Sequence, residues 1–411
     1  MDSSKLEKKR LEILYDGYYY DVTDFVRRHP GGREIIGYFT HPNEDATIAI
    51  QQFHARASDK VNGIMKALKR RPATETKEIS SDEKKLLTRN QSLTEDFTKL
   101  YLELKAEGLF EPSYSHVAYR LTEMLLFILL GLYFLTQYSH FWIKVFGCLI
   151  FSTGQIRLTW IMHEGGHYSL TGNPKYDRKL QNFFWGIFFG WSGIFWRRRH
   201  NLHHAMTNRL KRDVDLELAP GFLVNIDALE DPKGKTAFIF RHQFLLSPII
   251  SVGFALYFSW ETARCLIKYR VPEEIFAIGM YCLGIYYVGV WPCLTSYFLT
   301  LSFFYFQIGL SHSHLPVTNK PTHWVEHGLV HTVDVEHRPW CDWWMGYLNY
   351  QIEHHLFPTM PQFRNKLAVS RVRALAQKYG LPYEVLSYKE ASIKMIKNVL
   401  DVSKQVKTIC S

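Results

Sequence analysis

Two long apolar stretches constrain this 411-residue chain more than any other feature. They cover residues 118–162 and 244–311, where Leu, Phe, Ile, Tyr and Trp dominate, whereas residues 1–115 are rich in charged side chains. A helix needs about 20 apolar residues to cross the hydrocarbon core of a bilayer, and both stretches have room for such helices. The pattern predicts an integral membrane protein with large aqueous parts.

The first stretch divides into two predicted spans, 119–137 and 141–162, with three residues between them. So short a connection predicts an antiparallel hairpin, which returns the chain to the side of its N-terminus. The second stretch predicts two further spans, 275–293 and 296–311. The run 244–260 is expected to be an in-plane or re-entrant helix, because the basic residues after it favour a cytosolic connector. Because the chain then crosses the membrane an even number of times, all histidine-rich segments are expected on the same side of the membrane.

Composition narrows the class of protein further. The N-terminus, MDSSKLEKKR, is followed by no apolar run, so we expect no cleaved signal peptide. The net charge of +10 fits cytosolic loops rich in Lys and Arg, or contact with anionic lipid headgroups or the phosphates of a substrate. The six cysteines are scattered, without a CxxC pair, which predicts neither a disulfide framework nor a thiolate metal site and indicates a reducing, cytosol-facing protein.

The N-terminal segment places two histidines at the ends of predicted helices. LEILYDGYYY predicts two short strands around an Asp16-Gly17 turn. In VTDFVRRHPGGREII, helix-like periodicity stops at the HPGG that contains His29, and residues 45–61 predict a helix that carries His54. The two histidines are 25 residues apart by number and are flanked by apolar residues, so they could clamp a haem from both sides.

A charged linker, 70–90, follows this segment. Residues 92–108 then predict an amphipathic helix, with Ser92 and Glu95 at the spacing of a capping box. One side of this helix carries Phe97, Tyr101 and Leu104.

Three histidine clusters, here called boxes, predict a metal centre. The first is MHEGGHYSL, the second RRRHNLHHAMTN and the third QIEHH. The box histidines are His163 and His167, then His200, His203 and His204, then His354 and His355. Spacings of i, i+3 and i+4 place side chains on one helical face, and imidazole suits Zn, Cu, Ni and Fe. Seven histidines are too many for one zinc ion and about right for two metals. Two metals beside a haem domain indicate activation of O₂ with electrons from the haem.

The motifs resemble a known family. The N-terminal segment is similar to cytochrome b5, and HxxxH, HxxHH and QxxHH behind it resemble the front-end desaturases of the membrane fatty-acid desaturase superfamily. The similarity runs from Tyr15 to about Tyr388, and HEGGHYSLTGN and NYQIEHHLFPTMPQFR resemble the Δ6 and Δ5 acyl desaturases. The resemblance implies haem b on His29 and His54, and two non-haem irons on the seven box histidines. Gln351 is the residue with which the third box normally begins in this family. It would bind at the same site or hydrogen-bond a ligand or water.

Further residues between the second and third boxes are candidates by the same resemblance. An eighth histidine ligand is expected at His312 or His314, with His331 and His337 as weaker candidates. His242 is expected in the second layer around the metals, and Asp213 and Asp215 are expected to orient ligand imidazoles.

We therefore expect a multi-domain membrane protein. A small α+β cytochrome b5-like domain (1–75) is followed by a linker and amphipathic helix (76–115). A mostly α-helical membrane desaturase domain (116–411) then has four transmembrane helices, a cytosolic histidine-rich cap and a di-iron site. The resemblance implies a Δ6 or Δ5 front-end desaturase that uses O₂, with NADH acting through a separate cytochrome b5 reductase, since the chain has no G-x-G-x-x-G motif.

The expected partners are that reductase, a fatty-acyl substrate on CoA or phospholipid, and membrane lipid, without nucleic acid. The expected location is the endoplasmic reticulum membrane, multi-pass, with both termini and the boxes cytosolic. The alternatives are a sphingolipid Δ8 desaturase, a lipid hydroxylase, or a membrane-tethered b5-type electron carrier without catalysis of its own.

Overall fold

The computed structural model describes residues 10–73, 80–216, 218, 221–231, 234 and 236–409. The predicted domain boundary at 75/76, both chain termini and Cys410 lie outside these described residues.

The N-terminal domain is a three-stranded antiparallel sheet covered by short helices. Strands β1 (Glu12–Tyr15), β2 (Tyr18–Asp21) and β3 (Arg70–Pro72) pair in that order. The β1–β2 turn places Asp16 at φ 49° and Gly17 at φ 74°, a pair of positive values that suits the twist of a two-residue hairpin. This confirms the predicted hairpin. The helices are α1 (Arg33–Tyr38), α2 (Thr47–Phe53) and α3 (Ser58–Ala67).

Two helix predictions in this domain are wrong. The predicted helix over 45–61 is broken between α2 and α3, where the backbone of His54 leaves the helix and the N–H of Ala57 closes a turn on its carbonyl at 2.8 Å. Before HPGG only a 3₁₀ turn forms, Val26–Arg28, and α1 begins after it. Gly31 is needed in that motif because a Cβ there would lie 2.9 Å from Cε1 of His29.

Helix α4 (Ser81–Ala106) is longer than predicted. Its capping box consists of Ser80 and Glu83, whereas Ser92 and Glu95 lie inside the helix, so the predicted start is wrong. The apolar side is confirmed: Phe97, Tyr101 and Leu104 are all buried. The ring of Phe97 stacks on Phe357 with centroids 5.1 Å apart, which packs α4 beside the third box.

The predicted hairpin of spans is confirmed by α5 (Tyr114–Gln137) and α6 (Phe141–Gly166), both long and apolar enough to cross a membrane. Glycines allow the two helices to approach closely. A Cβ on Gly131 would lie 2.6 Å from the backbone nitrogen of Phe151, and one on Gly154 would lie 2.8 Å from Ile128. Small residues at helix contacts are typical of membrane helices.

The second apolar stretch folds differently from the prediction. Helix α10 (Gln243–Tyr269) is continuous over 27 residues and is long and apolar enough to cross a membrane, so it is a candidate span where an in-plane or re-entrant helix was expected. Its basic residues Arg264 and Lys268 lie within the last turns of the helix, where cations suit the helix dipole, instead of in a connector.

The two spans predicted after α10 are instead a bent pair, α11 (Pro272–Val288) and α12 (Val290–Gly309), which meet at 120° at Gly289. If the bent pair counts as one span, the described residues hold four candidate spans. The expected number therefore holds, while the assignment of segments changes.

Helix α12 runs beside α6 and brings the following loop to the histidine boxes. Ser152 donates to the carbonyl of Ser296 at 3.1 Å, and Thr300 donates to Gln155 at 2.9 Å. The remaining elements form the cap over the ends of these helices. They are α7 (Pro174–Phe189), α8 (Gly193–Ala205), α9 (Thr236–Arg241), α13 (Trp324–Val330), β4 (Asp334–Val335), α14 (Pro339–Trp344), α15 (Gln351–Leu356), α16 (Val369–Lys378), β5 (Val385–Leu386) and α17 (Tyr388–Ile409).

Candidate metal centre and haem site

Five histidines from three elements converge at the end of α6. One ligand nitrogen from each lies within 4.8 Å of those of the others. His163 stands in the last turn of α6, His167 directly after it, His200 and His204 on α8 and His354 on α15. This group is called the five-histidine cluster. It unites members of all three boxes.

A second group lies beside the first. His203, His312 and His355 bring their ring nitrogens within the same 4.8 Å limit, and this group is called the three-histidine cluster. The amide nitrogen of Gln351 lies 3.1 Å from Nε2 of His312 and 3.3 Å from Nε2 of His355. The box residue that is not histidine therefore faces the three-histidine cluster.

The three histidines of the second box do not all point to the same cluster. The spacing predicts one face for all three histidines, yet His200 and His204 join the five-histidine cluster while His203 joins the other. The structure brings all seven predicted box histidines together. It divides them between two groups that share the helices α8 and α15.

Hydrogen bonds from outside the clusters orient the imidazoles. Nδ1 of His203 lies 3.0 Å from a carboxylate oxygen of Asp213, as predicted for that residue, and 3.6 Å from half-exposed Asp215. Nδ1 of His312 donates to the carbonyl of His331 at 3.0 Å. Such outer partners fix the tautomer of a metal-ligating histidine and leave Nε2 free for the metal.

Two further partners were not predicted. Thr207 meets Nδ1 of His355 at 3.2 Å. The side-chain amide of Gln362 contacts Nδ1 of His163. When the amide oxygen of Gln362 accepts from this Nδ1, the NH₂ group of Gln362 donates to the carbonyl of Gly346 at 3.0 Å. Neither residue type marks a metal site by itself, and the only signal in the sequence is that Gln362 lies in the segment MPQFR directly after the third box.

Burial keeps most of these rings neutral. It lowers the pKa of His167 and of His312 to about 3, and it holds the pKa values of His200, His204, His354 and His355 well below the usual range. Burial also acts to lower the pKa of His203, but the carboxylates of Asp213 and Asp215 together outweigh burial and raise this pKa to about 9. A cation on Nε2 of His203 would take the place of one proton while Nδ1 keeps its bond to Asp213.

The structure places the other predicted histidines outside both clusters. His314 is not among the cluster residues, and neither of its ring nitrogens has a hydrogen-bond partner among the described residues. The backbone carbonyl of His331 accepts from Nδ1 of His312, and Nε2 of His337 lies 2.8 Å from a carboxylate oxygen of Asp334. His242 is exposed and bonds the carbonyl of Phe238 at 3.0 Å, so its expected place in the second layer is wrong.

The donor set fits metal ions. The two clusters supply buried imidazole nitrogens, and Nε2 of His167 and Nδ1 of His204 have no hydrogen-bond partner within the described chain. Neutral imidazole is a ligand for iron and other divalent transition metals. A buried nitrogen without a partner is costly, and a metal would satisfy it.

Two histidines of the N-terminal domain are placed so that they could hold a haem. The rings of His29 and His54 face each other with centroids 6.0 Å apart and planes at 84°. Nδ1 of His29 donates to the carbonyl of Gly32 at 2.9 Å, which directs Nε2 away from its own loop. Burial lowers the pKa of His29 and lowers that of His54 to about 4, so both rings are neutral at pH 7. A pair of neutral imidazoles at this separation leaves space for one iron ion between them.

Comparison with known proteins gives the same two parts. The family of fatty acid desaturases matches residues 117–387. The family of cytochrome b5-like haem/steroid-binding domains matches residues 3–109, which includes α4.

Curated relatives match along nearly the whole chain. An acyl-lipid (8-3)-desaturase from Rebecca salina is 37% identical, over 97% of this chain and 92% of its own length. A protein of the same name from Thraustochytrium sp is 36% identical, over 97% of this chain and 93% of its own length. Fatty acid desaturase 3 from Bos taurus is 29% identical, over 94% of this chain and 89% of its own length.

Proposed function

The chain belongs to the fatty acid desaturase family and carries a cytochrome b5-like domain ahead of the desaturase domain, and from this premise we propose that it is a Δ6 or Δ5 front-end desaturase. As a family member it is an oxidoreductase that acts on lipid acyl chains. The proposed reaction removes two hydrogens from a polyunsaturated chain and forms a cis double bond between an existing double bond and the carboxyl end. O₂ is reduced to water.

The pair of clusters is the observation that carries this proposal. We assign one non-haem iron to His163, His167, His200, His204 and His354, and the other to His203, His312 and His355 with Gln351 beside it. Iron held there would supply the oxidising chemistry that breaks unactivated C–H bonds. Two redox-active metals would suit that chemistry better than a single zinc ion, which has no redox activity.

The chain's own residues hold and shield this site. Asp213 and the carbonyl of His331 fix the rings of His203 and His312. Trp196 stacks on His200 with centroids 4.4 Å apart, and Trp185 packs behind Trp196 at 5.7 Å. This wall of buried aromatic side chains excludes water from one side of the five-histidine cluster. An acyl chain needs such apolar surroundings, because only its reach along identical CH₂ groups selects the position of the new bond.

Electrons enter through the N-terminal domain in this proposal. Haem b between His29 and His54 would pass them singly, and a separate cytochrome b5 reductase would supply them from NADH. We place the protein in the endoplasmic reticulum membrane with both termini and the boxes cytosolic. The names of the two acyl-lipid (8-3)-desaturases support an acyl chain held on a lipid over one held on CoA.

Expression in yeast fed a panel of C18 and C20 polyunsaturated acids tests the proposed function. Mass spectrometry that locates the double bonds should find a new bond at position 5 or 6, on the carboxyl side of an existing one. A new bond at position 8 of a long-chain base, or a hydroxylated lipid, would reject the proposed reaction. An electron carrier without catalysis would yield no new lipid and would hold haem iron alone.

A further inference from the structure

A buried ion pair joins the haem domain, residues 10–73, to the desaturase domain. Glu44 lies in the loop between α1 and α2 and is 6% exposed. It accepts hydrogen bonds from Arg209 and, at 2.8 Å, from Arg212. The hydroxyl of Tyr38 donates to the carbonyl of Arg212 at 2.8 Å. A buried carboxylate without its partners would leave uncompensated charge on both sides, so the contact strongly favours one arrangement of the two domains.

Apolar packing continues the same surface. Ile35 of the haem domain forms a buried cluster with Ala205 and Met206, and Phe53 and Leu202 pack at its edge. The residues on the desaturase side belong to α8 or follow it directly, so the haem domain lies against the helix that carries the second box. A charged linker by itself would not hold a domain in one place.

An aromatic contact lies at the margin of this surface. Phe53, the neighbour of His54 in the chain, meets Trp324 with ring centroids 5.7 Å apart and planes at 80°. Trp324 opens α13, and His331 caps the end of that helix. The carbonyl of His331 accepts the hydrogen bond of His312 at 3.0 Å. A short series of contacts thus joins a haem ligand to the three-histidine cluster.

We propose that Glu44, Arg209 and Arg212 latch the haem domain in one docked position, from which electrons leave past Phe53 and Trp324 and enter at the three-histidine cluster. The inference rests on the proposed function. With haem and iron bound, each transfer would oxidise one ferrous haem to ferric and reduce one ferric non-haem iron to ferrous. No bond forms or breaks and no proton is required. Trp324 contacts Phe53 and is not a ligand in either histidine cluster, so it acts here as a positioning residue.

Hydrogen–deuterium exchange on the purified full-length protein tests the latch without relying on turnover. The variant Arg212→Glu reverses one partner's charge without altering the haem domain, and Lys211→Glu makes the same charge change at an exposed neighbouring position. We expect exchange in peptides from α1 and from residues 200–212 to become at least tenfold faster in Arg212→Glu and to stay unchanged in Lys211→Glu. The haem spectrum should stay normal in both.

Glu44→Lys, matched by exposed Asp59→Lys, makes the test from the haem side. Faster exchange in both Arg212→Glu and Glu44→Lys supports the latch. Exchange no faster than in the matched controls would overturn it. This result would stand even if the product of the enzyme proved to be a hydroxylated lipid, so the latch and the proposed function fail separately.

Stopped-flow reoxidation of the haem tests the exit route. In Trp324→Leu we expect the docked exchange pattern and the haem spectrum to persist while single-turnover reoxidation slows by tenfold or more. Trp324→Phe should recover most of the rate. An unchanged rate in Trp324→Leu would remove Trp324 from the route, and slowing accompanied by faster exchange at α1 would show that it serves docking alone.

Discussion

His354 and His355 are neighbours in the chain, yet their rings lie in different clusters, with centroids 5.7 Å apart and planes at 84°. His203 and His204 are divided in the same way, with planes at 79°. Successive residues on a helix point about 100° apart, so an HH pair on a helix between two sites reaches both of them. Two helices, α8 and α15, thereby fix the spacing of the two proposed iron sites.

A comparison of His312→Ala with His314→Ala identifies the eighth histidine ligand. His312 lies in the three-histidine cluster, whereas His314 lies outside both clusters. We expect His312→Ala to lose non-haem iron and desaturation, and His314→Ala to retain two non-haem irons per haem. Iron analysis of the purified proteins makes the comparison. Full iron content in His312→Ala would transfer the assignment elsewhere.

Asp213→Asn should weaken the metal site without removing a ligand. The neutral amide oxygen accepts from the Nδ1–H of His203 more weakly than the charged carboxylate of Asp213, which lies 3.0 Å from Nδ1. Loss of such an outer partner typically lowers metal affinity about 10- to 100-fold. The matched variant is Asp215→Asn, since Asp215 lies farther away at 3.6 Å and pairs with Arg199. Iron retention during dialysis against a chelator should fall in the first variant and change little in the second.

Gln351 should prove more than a spacer. Its amide contacts the Nε2 atoms of both His312 and His355, and it stays neutral at every working pH. We expect Gln351→Ala to lose most activity, because it removes the polar side chain beside the His203, His312 and His355 site that could hold the metal or a water there. Gln351→His, bulkier and a stronger ligand, should retain part of the activity or none, and never exceed wild type. Conversion of a polyunsaturated substrate in cells, normalised to protein level, is the assay, and full conversion by Gln351→Ala would contradict this role.

The haem ligands should be separable from the iron site. His29→Ala or His54→Ala should abolish the b5-type absorption spectrum and NADH-supported turnover while non-haem iron stays bound. His41→Ala is the control, a histidine of the same domain that lies in an exposed loop. A normal six-coordinate spectrum in either ligand variant would disprove the assignment.

The close approach of α5 and α6 predicts a steric effect. Gly154→Leu would force a side chain onto Ile128, where even a Cβ lies 2.8 Å away. Overpacking of this kind costs about 1–3 kcal/mol. Gly253→Leu is the control, because a Cβ there meets nothing within 4 Å. The melting temperature of detergent-purified protein should fall in the first variant alone, and equal melting would show that the helix pair adjusts.

Local sequence patterns predicted much of the fold. The Asp16-Gly17 hairpin and the apolar hairpin of α5 and α6 follow from turn residues and from length, and the family assignment made from HPGG and the boxes is confirmed by the comparisons. The start of α4 was missed because Ser92 and Glu95 match a capping box as well as Ser80 and Glu83 do. Only the folded chain shows which pair is used.

The remaining errors arise from tertiary structure. The basic residues Arg264 and Lys268, which follow the run 244–260, suit a cytosolic connector and the last turns of a helix equally well, and the sequence does not distinguish the two. The division of each histidine pair between two clusters depends on where α6 and α12 bring their own histidines. The contact between Gln362 and His163 joins residues 199 positions apart, which no local pattern encodes.

The ion pair at Glu44 has a consequence for how the reductase binds to the outer surface of the protein. One haem carries one electron, while each double bond requires two. If the haem domain stays against α8, the reductase must reduce the haem twice per product and must approach from the side that faces away from α8. The rate at which the haem is reduced again then depends on how often the reductase binds to this exposed side, and not on the motion of a tethered domain.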